Sequence, residues 1–145
     1  MLKSKTLFFI LFLTLGMQQS YSQVYKFKTT GFSVLEKDSK GNWGKWSDLE
    51  NVNLVVSLDT NKNRIIVYSQ EIQFYEILSY QEKEENESDL VYGFNCKDID
   101  NEEFVISIIT RKSQNGRKQL YINQKNVIIV YNIVNILEKD DKDKL

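Results

Sequence analysis

The sequence predicts an all-β fold: a single small antiparallel β-barrel of about eight or nine strands, with a flattened β-sandwich as the alternative. Three observations support this prediction. Runs of β-branched and aromatic residues recur at intervals of about 8–15 residues, with polar turn formers between them. No segment after the N-terminal region has a convincing amphipathic helical pattern, and alanine, the best helix former, is absent. Residues 52–69 have the pattern of a β-hairpin.

This hairpin is the clearest local signal in the chain. Two apolar runs, 53–58 and 64–69, flank the polar residues 59–63. Asp and Asn suit such a joint because they tolerate left-handed backbone and accept hydrogen bonds from nearby main-chain N–H groups. Residues 59–63 also resemble the start of a calcium loop, but Arg64 and Gln70 stand where that loop needs Gly and Glu. A plain hairpin turn is the favoured interpretation.

Similar patterns precede and follow the hairpin. Residues 24–29 alternate between apolar and polar side chains and predict a strand that Gly31 breaks, with a second short strand at 32–36. Residues 71–83 are apolar on both parities, which favours a strand with a bulge or a strand buried on both faces. The charged run 82–89 predicts a solvated loop.

The second half of the chain continues the same rhythm. Strands are predicted at 90–94 and 104–109 around a turn at 98–102. Asn115-Gly116 is a strong turn signal, and residues 127–134 form the last and most apolar run. Together these elements predict a barrel that is lipocalin-like in general shape.

The N-terminal segment has the pattern of a secretory signal peptide. Lys3 and Lys5 precede an apolar run at residues 7–15, and small residues lead to a cleavage site expected between Ser22 and Gln23. The run has about nine residues, against the roughly 20 that a membrane-spanning helix needs. We therefore expect a periplasmic or secreted protein with no stable membrane anchor after cleavage.

The predicted organisation is a signal peptide at residues 1–22, one domain at 23–137 and a charged tail at 138–145. The whole chain has 19 basic and 20 acidic residues; the signal segment holds two basic and no acidic ones, so the remainder has 17 and 20 and a net charge of −3. With both signs interspersed, this balance gives no electrostatic reason to expect nucleic acid as a partner.

The composition also limits the chemistry of the protein. Histidine is absent, which excludes Ser-His-Asp and Cys-His nucleophile systems and His-ligated zinc. Cys96 is the only cysteine, so we expect a buried, inert thiol, with a pair between two chains as the alternative. The acidic residues between 98 and 103 are interpreted as a solvated turn. We predict no catalytic, cofactor-binding or metal-binding residues.

Trp43 and Trp46 lie in the most unusual local sequence, the loop between the first strands and the hairpin. Aromatic side chains in loops offer a large contact area at little entropic cost. Trp43, between Asn42 and Gly44, is the candidate contact for a ligand or partner. Trp46, which leads towards the hairpin, is predicted to be part of the core.

Several stretches resemble those of small exported proteins of unassigned function from Bacteroidota. They are Tyr21-Ser22-Gln23, residues 45–48, residues 59–68 and residues 75–77. This resemblance implies a periplasmic or secreted all-β domain and supplies no catalytic residues. The function predicted from the sequence is an exported, non-enzymatic domain that binds a small apolar ligand or a protein partner; the alternative is a periplasmic hydrolase that uses a carboxylate pair.

Overall fold

The computed structural model describes residues 23–136, which form ten strands of one antiparallel sheet and one short 3₁₀ helix. The predicted signal peptide and the whole of the predicted tail lie outside the described residues. The elements are β1 (Val24–Glu36), β2 (Glu50–Asn51), β3 (Val55–Asp59), β4 (Arg64–Val67), β5 (Gln73–Tyr80), β6 (Glu84–Glu85), β7 (Asp89–Lys97), β8 (Glu103–Arg111), the 3₁₀ helix (Lys112–Gln114), β9 (Arg117–Asn123) and β10 (Val127–Asn135).

The strands close into a barrel. Strands β1, β3, β4, β5, β7, β8, β9 and β10 pair in chain order, and β10 then pairs with β1. The result is a closed eight-stranded antiparallel barrel, to which β2 and β6 add two short strands. The prediction of a small antiparallel barrel is confirmed, and the flattened sandwich is not the arrangement found.

Strand β1 is continuous where the sequence predicted two strands. Its register with β10 shifts between Thr29 and Gly31, so Thr30 is the extra residue of a β-bulge. Gly31 permits β2 to pass close by, because a Cβ atom there would lie only 3.2 Å from the carbonyl oxygen of Glu50. The glycine therefore marks a close approach of two strands and does not end the first one.

Alternate side chains of the barrel strands point inward and fill its middle. Ile106, Leu120 and Val67 have no exposed surface, and they come from three different strands. The buried apolar core consists of Phe27, Val56, Leu58, Ile65, Val67, Tyr75, Ile77, Phe94, Cys96, Ile106, Ile108, Leu120, Ile122, Tyr131 and Ile133. A bulge was one of the two interpretations of residues 71–83, and it is confirmed: the register of β5 with β7 shifts between Ile77 and Ser79.

Two tight turns are held by aspartate side chains. In the central hairpin, Asp59 Oδ1 accepts hydrogen bonds from the backbone N–H groups of Asn61 and Lys62, at 3.1 and 3.0 Å. In the β7–β8 turn, Asp98 Oδ1 accepts from the N–H groups of Asp100 and Glu102, both at 2.9 Å. Both turns predicted from the sequence are confirmed, and in each of them one aspartate side chain holds the backbone.

One end of the barrel is closed by the segment between β2 and β3. Val52 and Leu54 pack against the core there. The hydroxyl of Thr29, a residue with no exposed surface, donates to the carbonyl oxygen of Val52 at 3.1 Å and accepts from the N–H of Leu54 at 2.8 Å. The Thr29 N–H also donates to the Leu54 carbonyl at 2.8 Å. This side chain therefore fixes the closing segment, and we call this the closed end.

Replacement of Thr29 tests this arrangement. Thr29→Val keeps the shape of the side chain but leaves the N–H of Leu54 and the carbonyl of Val52 without the hydroxyl. We expect a loss of about 2–4 kcal/mol in the free energy of unfolding, because each unsatisfied buried group costs about 1–3 kcal/mol. The measurement is chemical denaturation.

Thr30→Val is the matched control. Thr30 is exposed and its hydroxyl makes only a 3.5 Å contact, so the free energy of unfolding should fall only slightly in this variant. Equal losses in the two variants would contradict the role of Thr29.

Candidate functional site

The end of the barrel opposite the closed end contains a cavity of about 1000 Å³. It is bounded by the starts of β1, β7 and β9 and by the ends of β3, β5, β8 and β10. We call this the open end. The strands run past the filled core on this side, and their last inward-facing residues surround space that no core side chain occupies.

The floor of the cavity is apolar. Phe27, Leu58, Phe94 and Ile108 line it, and all four belong to the buried core. They come from four different strands, so the floor is held by the barrel itself. An apolar surface fixed in this way can accept an apolar group with little loss of side-chain freedom.

Three tyrosines surround the floor nearer to solvent. Tyr25, Tyr80 and Tyr92 line the cavity with 46%, 48% and 44% of their surface exposed. The ring of Tyr80 packs edge-on against Phe94 at 5.7 Å, and its hydroxyl donates to Asn63 Oδ1 at 2.7 Å. Desolvation raises the pKa of Tyr80 above its ordinary value, so the phenol remains a neutral hydrogen-bond donor. These rings offer apolar faces with polar tips, which suits a position between an apolar interior and water.

Within residues 23–136, the charged residues that line the cavity are lysines. They are Lys118 and Lys26, and no aspartate or glutamate of this range lines it. Lys118 lies on the inner wall: it pairs with Thr110 of β8 and Ile133 of β10, and it is two residues from the fully buried Leu120. Its Nζ donates to Asn135 Oδ1 at 3.4 Å. Lys118 was not among the predicted site residues, although it is in phase with Leu120 and Ile122 along the strand.

Trp43, the predicted contact residue, lies away from the cavity. The segment that carries it runs back along β1 beyond the closed end, and Trp43 forms an isolated bridge with Lys37. Lys37 Nζ lies 4.8 Å from the centre of the indole ring, which is 44% exposed as a residue. Trp43 is therefore placed on the surface, as expected, and its role as a partner contact stays a prediction.

The prediction that Trp46 belongs to the core is wrong. Trp46 is 45% exposed, nearly the same as Trp43. The reason is that residues near it pair with the second half of β1, where the Ser47 N–H donates to the Val34 carbonyl at 2.8 Å. The chain enters the core only later, through Val52 and Leu54.

Cys96 is a buried, free thiol, as predicted. It is 1% exposed, and burial raises its pKa from 9.0 to about 12. A neutral thiol inside the barrel is neither nucleophilic nor accessible to a second chain. Residues 23–136 contain no group of three or more acidic or cysteine side chains that could hold a metal ion.

Comparison of the chain with protein-family models, curated proteins and solved structures finds no match. Within residues 23–136, no helix has the length and apolarity needed to cross a bilayer. Function has to be inferred from the cavity and its lining.

Both tryptophans are a little less than half exposed, so each should contribute about equally to the free energy of unfolding. We expect Trp43→Ala and Trp46→Ala each to lower the free energy of unfolding by about 1–1.5 kcal/mol, half of the roughly 3 kcal/mol for full burial of a large apolar side chain. Ile106→Ala is the core reference and should cost about 2–5 kcal/mol. Thermal and chemical denaturation of the three variants makes the comparison. A loss for Trp46→Ala as large as that for Ile106→Ala would place Trp46 in the core after all.

Proposed function

We propose that the protein is an exported, non-enzymatic binding protein that holds one small, largely apolar ligand in the cavity at its open end. The observation that carries this proposal is the apolar-floored cavity of about 1000 Å³ inside a closed barrel. Eight-stranded barrels are just wide enough to be filled by side chains or to hold one small ligand. Here the middle of the barrel is filled and one end is not.

The size and the walls of the cavity support a small molecule as the occupant. Ligand sites in proteins usually measure about 300–1,000 Å³ and combine apolar walls with a few polar groups. The apolar floor and the polar groups nearer the mouth follow this division. The proposal includes a lipocalin-like mode of use, with the ligand entering through the mouth of the barrel.

The hydrolase alternative has less support. An acid–base mechanism needs two carboxyl groups facing one cleft, at separations of about 5–10 Å. Among residues 23–136, no aspartate or glutamate lines the cavity. Asp59 is the one buried carboxylate among the residues that the structure describes, and its Oδ1 already accepts two backbone hydrogen bonds.

Export is part of the proposal, and it rests on the sequence pattern of residues 1–22 and on the resemblance to exported proteins of Bacteroidota. A barrel that protects an apolar molecule from water suits an extracytoplasmic carrier or store.

Binding of a neutral, environment-sensitive dye such as Nile red tests the proposed function. We expect the protein to bind the dye with an increase in fluorescence. Leu90→Glu should weaken binding at least about tenfold, because Leu90 lines the cavity and a carboxylate there would lose hydration when the dye binds.

Leu78→Glu provides the matched control. Leu78 is 52% exposed and does not line the cavity, so this variant should bind the dye as the unchanged protein does. Absence of dye binding, or equal weakening by the two substitutions, would contradict the proposed site.

A further inference from the structure

Lys118 occupies a position where an apolar residue would be expected. The inward face of β9 continues from Ile122 and Leu120, which are 2% and 0% exposed, to Lys118, which is half-buried. Its neighbours across the sheet, Thr110 and Ile133, face the same interior. Lysine is rarely buried without a partner, because removal of its charge from water is costly.

The described residues give Lys118 a polar neighbour but no counter-charge. The Asn135 side-chain oxygen, at 3.4 Å, accepts one hydrogen bond. The four ion pairs found in residues 23–136 do not involve Lys118, and none of the carboxylates in this range lines the cavity. Lys26 also borders the cavity, but it alternates with Tyr25 and Phe27, which pair with the core residues Leu58 and Val56, so its side chain belongs to the outer face of β1. The cavity is therefore apolar at its floor and cationic nearer its mouth.

We propose that the ligand is an amphipathic monoanion, an apolar body that carries one carboxylate, and that the Lys118 ammonium group binds the carboxylate. This inference rests on the proposed function and specifies the class of ligand. The apolar floor formed by Phe27, Leu58, Phe94 and Ile108 receives the body. The carboxylate supplies the counter-charge that the lining lacks.

The donors of the lining favour a carboxylate over a phosphate. Phosphate groups carry nearly two charges and are commonly bound by the planar fork of arginine or by several backbone N–H groups. In the part of the chain that the structure describes, no arginine lines the cavity. One half-buried ammonium beside the hydroxyl-bearing Thr110 matches a single negative charge. A cationic ligand would be repelled by Lys118.

Two amphiphiles of equal chain length test the inference: dodecanoate, which is charged, and dodecan-1-ol, which is neutral. Their affinities can be compared by displacement of Nile red from the purified protein. We expect dodecanoate to bind about tenfold more tightly, because hydrogen bonds to charged groups are stronger than neutral ones. The difference should shrink at high salt, since the mouth is open to solvent.

Lys118→Met should remove the preference. Methionine keeps an unbranched apolar stem, so dodecan-1-ol should bind as before while dodecanoate falls to a similar affinity. Lys118→Arg retains the charge and should keep most of the preference. Lys28→Met is the matched control, because Lys28 is exposed on β1 and does not line the cavity.

The outcomes separate the two proposals. If neither amphiphile displaces the dye and the dye itself does not bind, the proposed function fails. If both amphiphiles bind equally to the unchanged protein, the cavity binds ligands but the inference about charge is overturned. The same holds if Lys118→Met leaves the preference for dodecanoate intact.

Discussion

The pairing of the first strand with the last is the constraint on which the rest of the structure depends. Strand β1 pairs with β10 from Phe27↔Asn135 to Glu36↔Val127, and this contact turns an eight-stranded meander into a closed barrel. Closure removes the exposed edges that a sheet of this length would otherwise present. The same strand pairs with β2 and β3 on its other side. The bulge at Thr30 allows one long strand to serve all three neighbours.

The two ends of the closed barrel differ. At the closed end, Val52 and Leu54 are held over the core by Thr29. Polar side chains there also find hydrogen-bond partners, because the Tyr75 hydroxyl donates to Gln73 Oε1 at 2.8 Å. Desolvation raises the pKa of Tyr75, so this buried phenol stays neutral and donates. At the open end no segment of residues 23–136 performs the same task. The cavity is the space left by that asymmetry.

Features fixed by neighbouring residues could be predicted from the sequence, and features fixed by distant pairing could not. The central hairpin depends on Asp59 and its own turn, and the bulge of β5 was visible as apolar residues on both parities. The continuity of β1 past Gly31 depends on β10, about one hundred residues away in the chain, and the pairing of the loop with β1 leaves Trp46 exposed. The phase of Lys118 with Leu120 was readable, but only barrel closure decides that this face borders a cavity.

Whether the open end holds a ligand can be measured by native mass spectrometry of the folded protein purified from the host that makes it. We expect the mass of the protein plus one small organic acid per chain, with the added mass lost on unfolding and recovered in an organic extract. The Leu90→Glu variant, prepared in the same way, should show the mass of the protein alone. Equal occupancy of the two proteins, or an unmodified mass for the wild type under conditions that preserve non-covalent complexes, would contradict a ligand in this cavity.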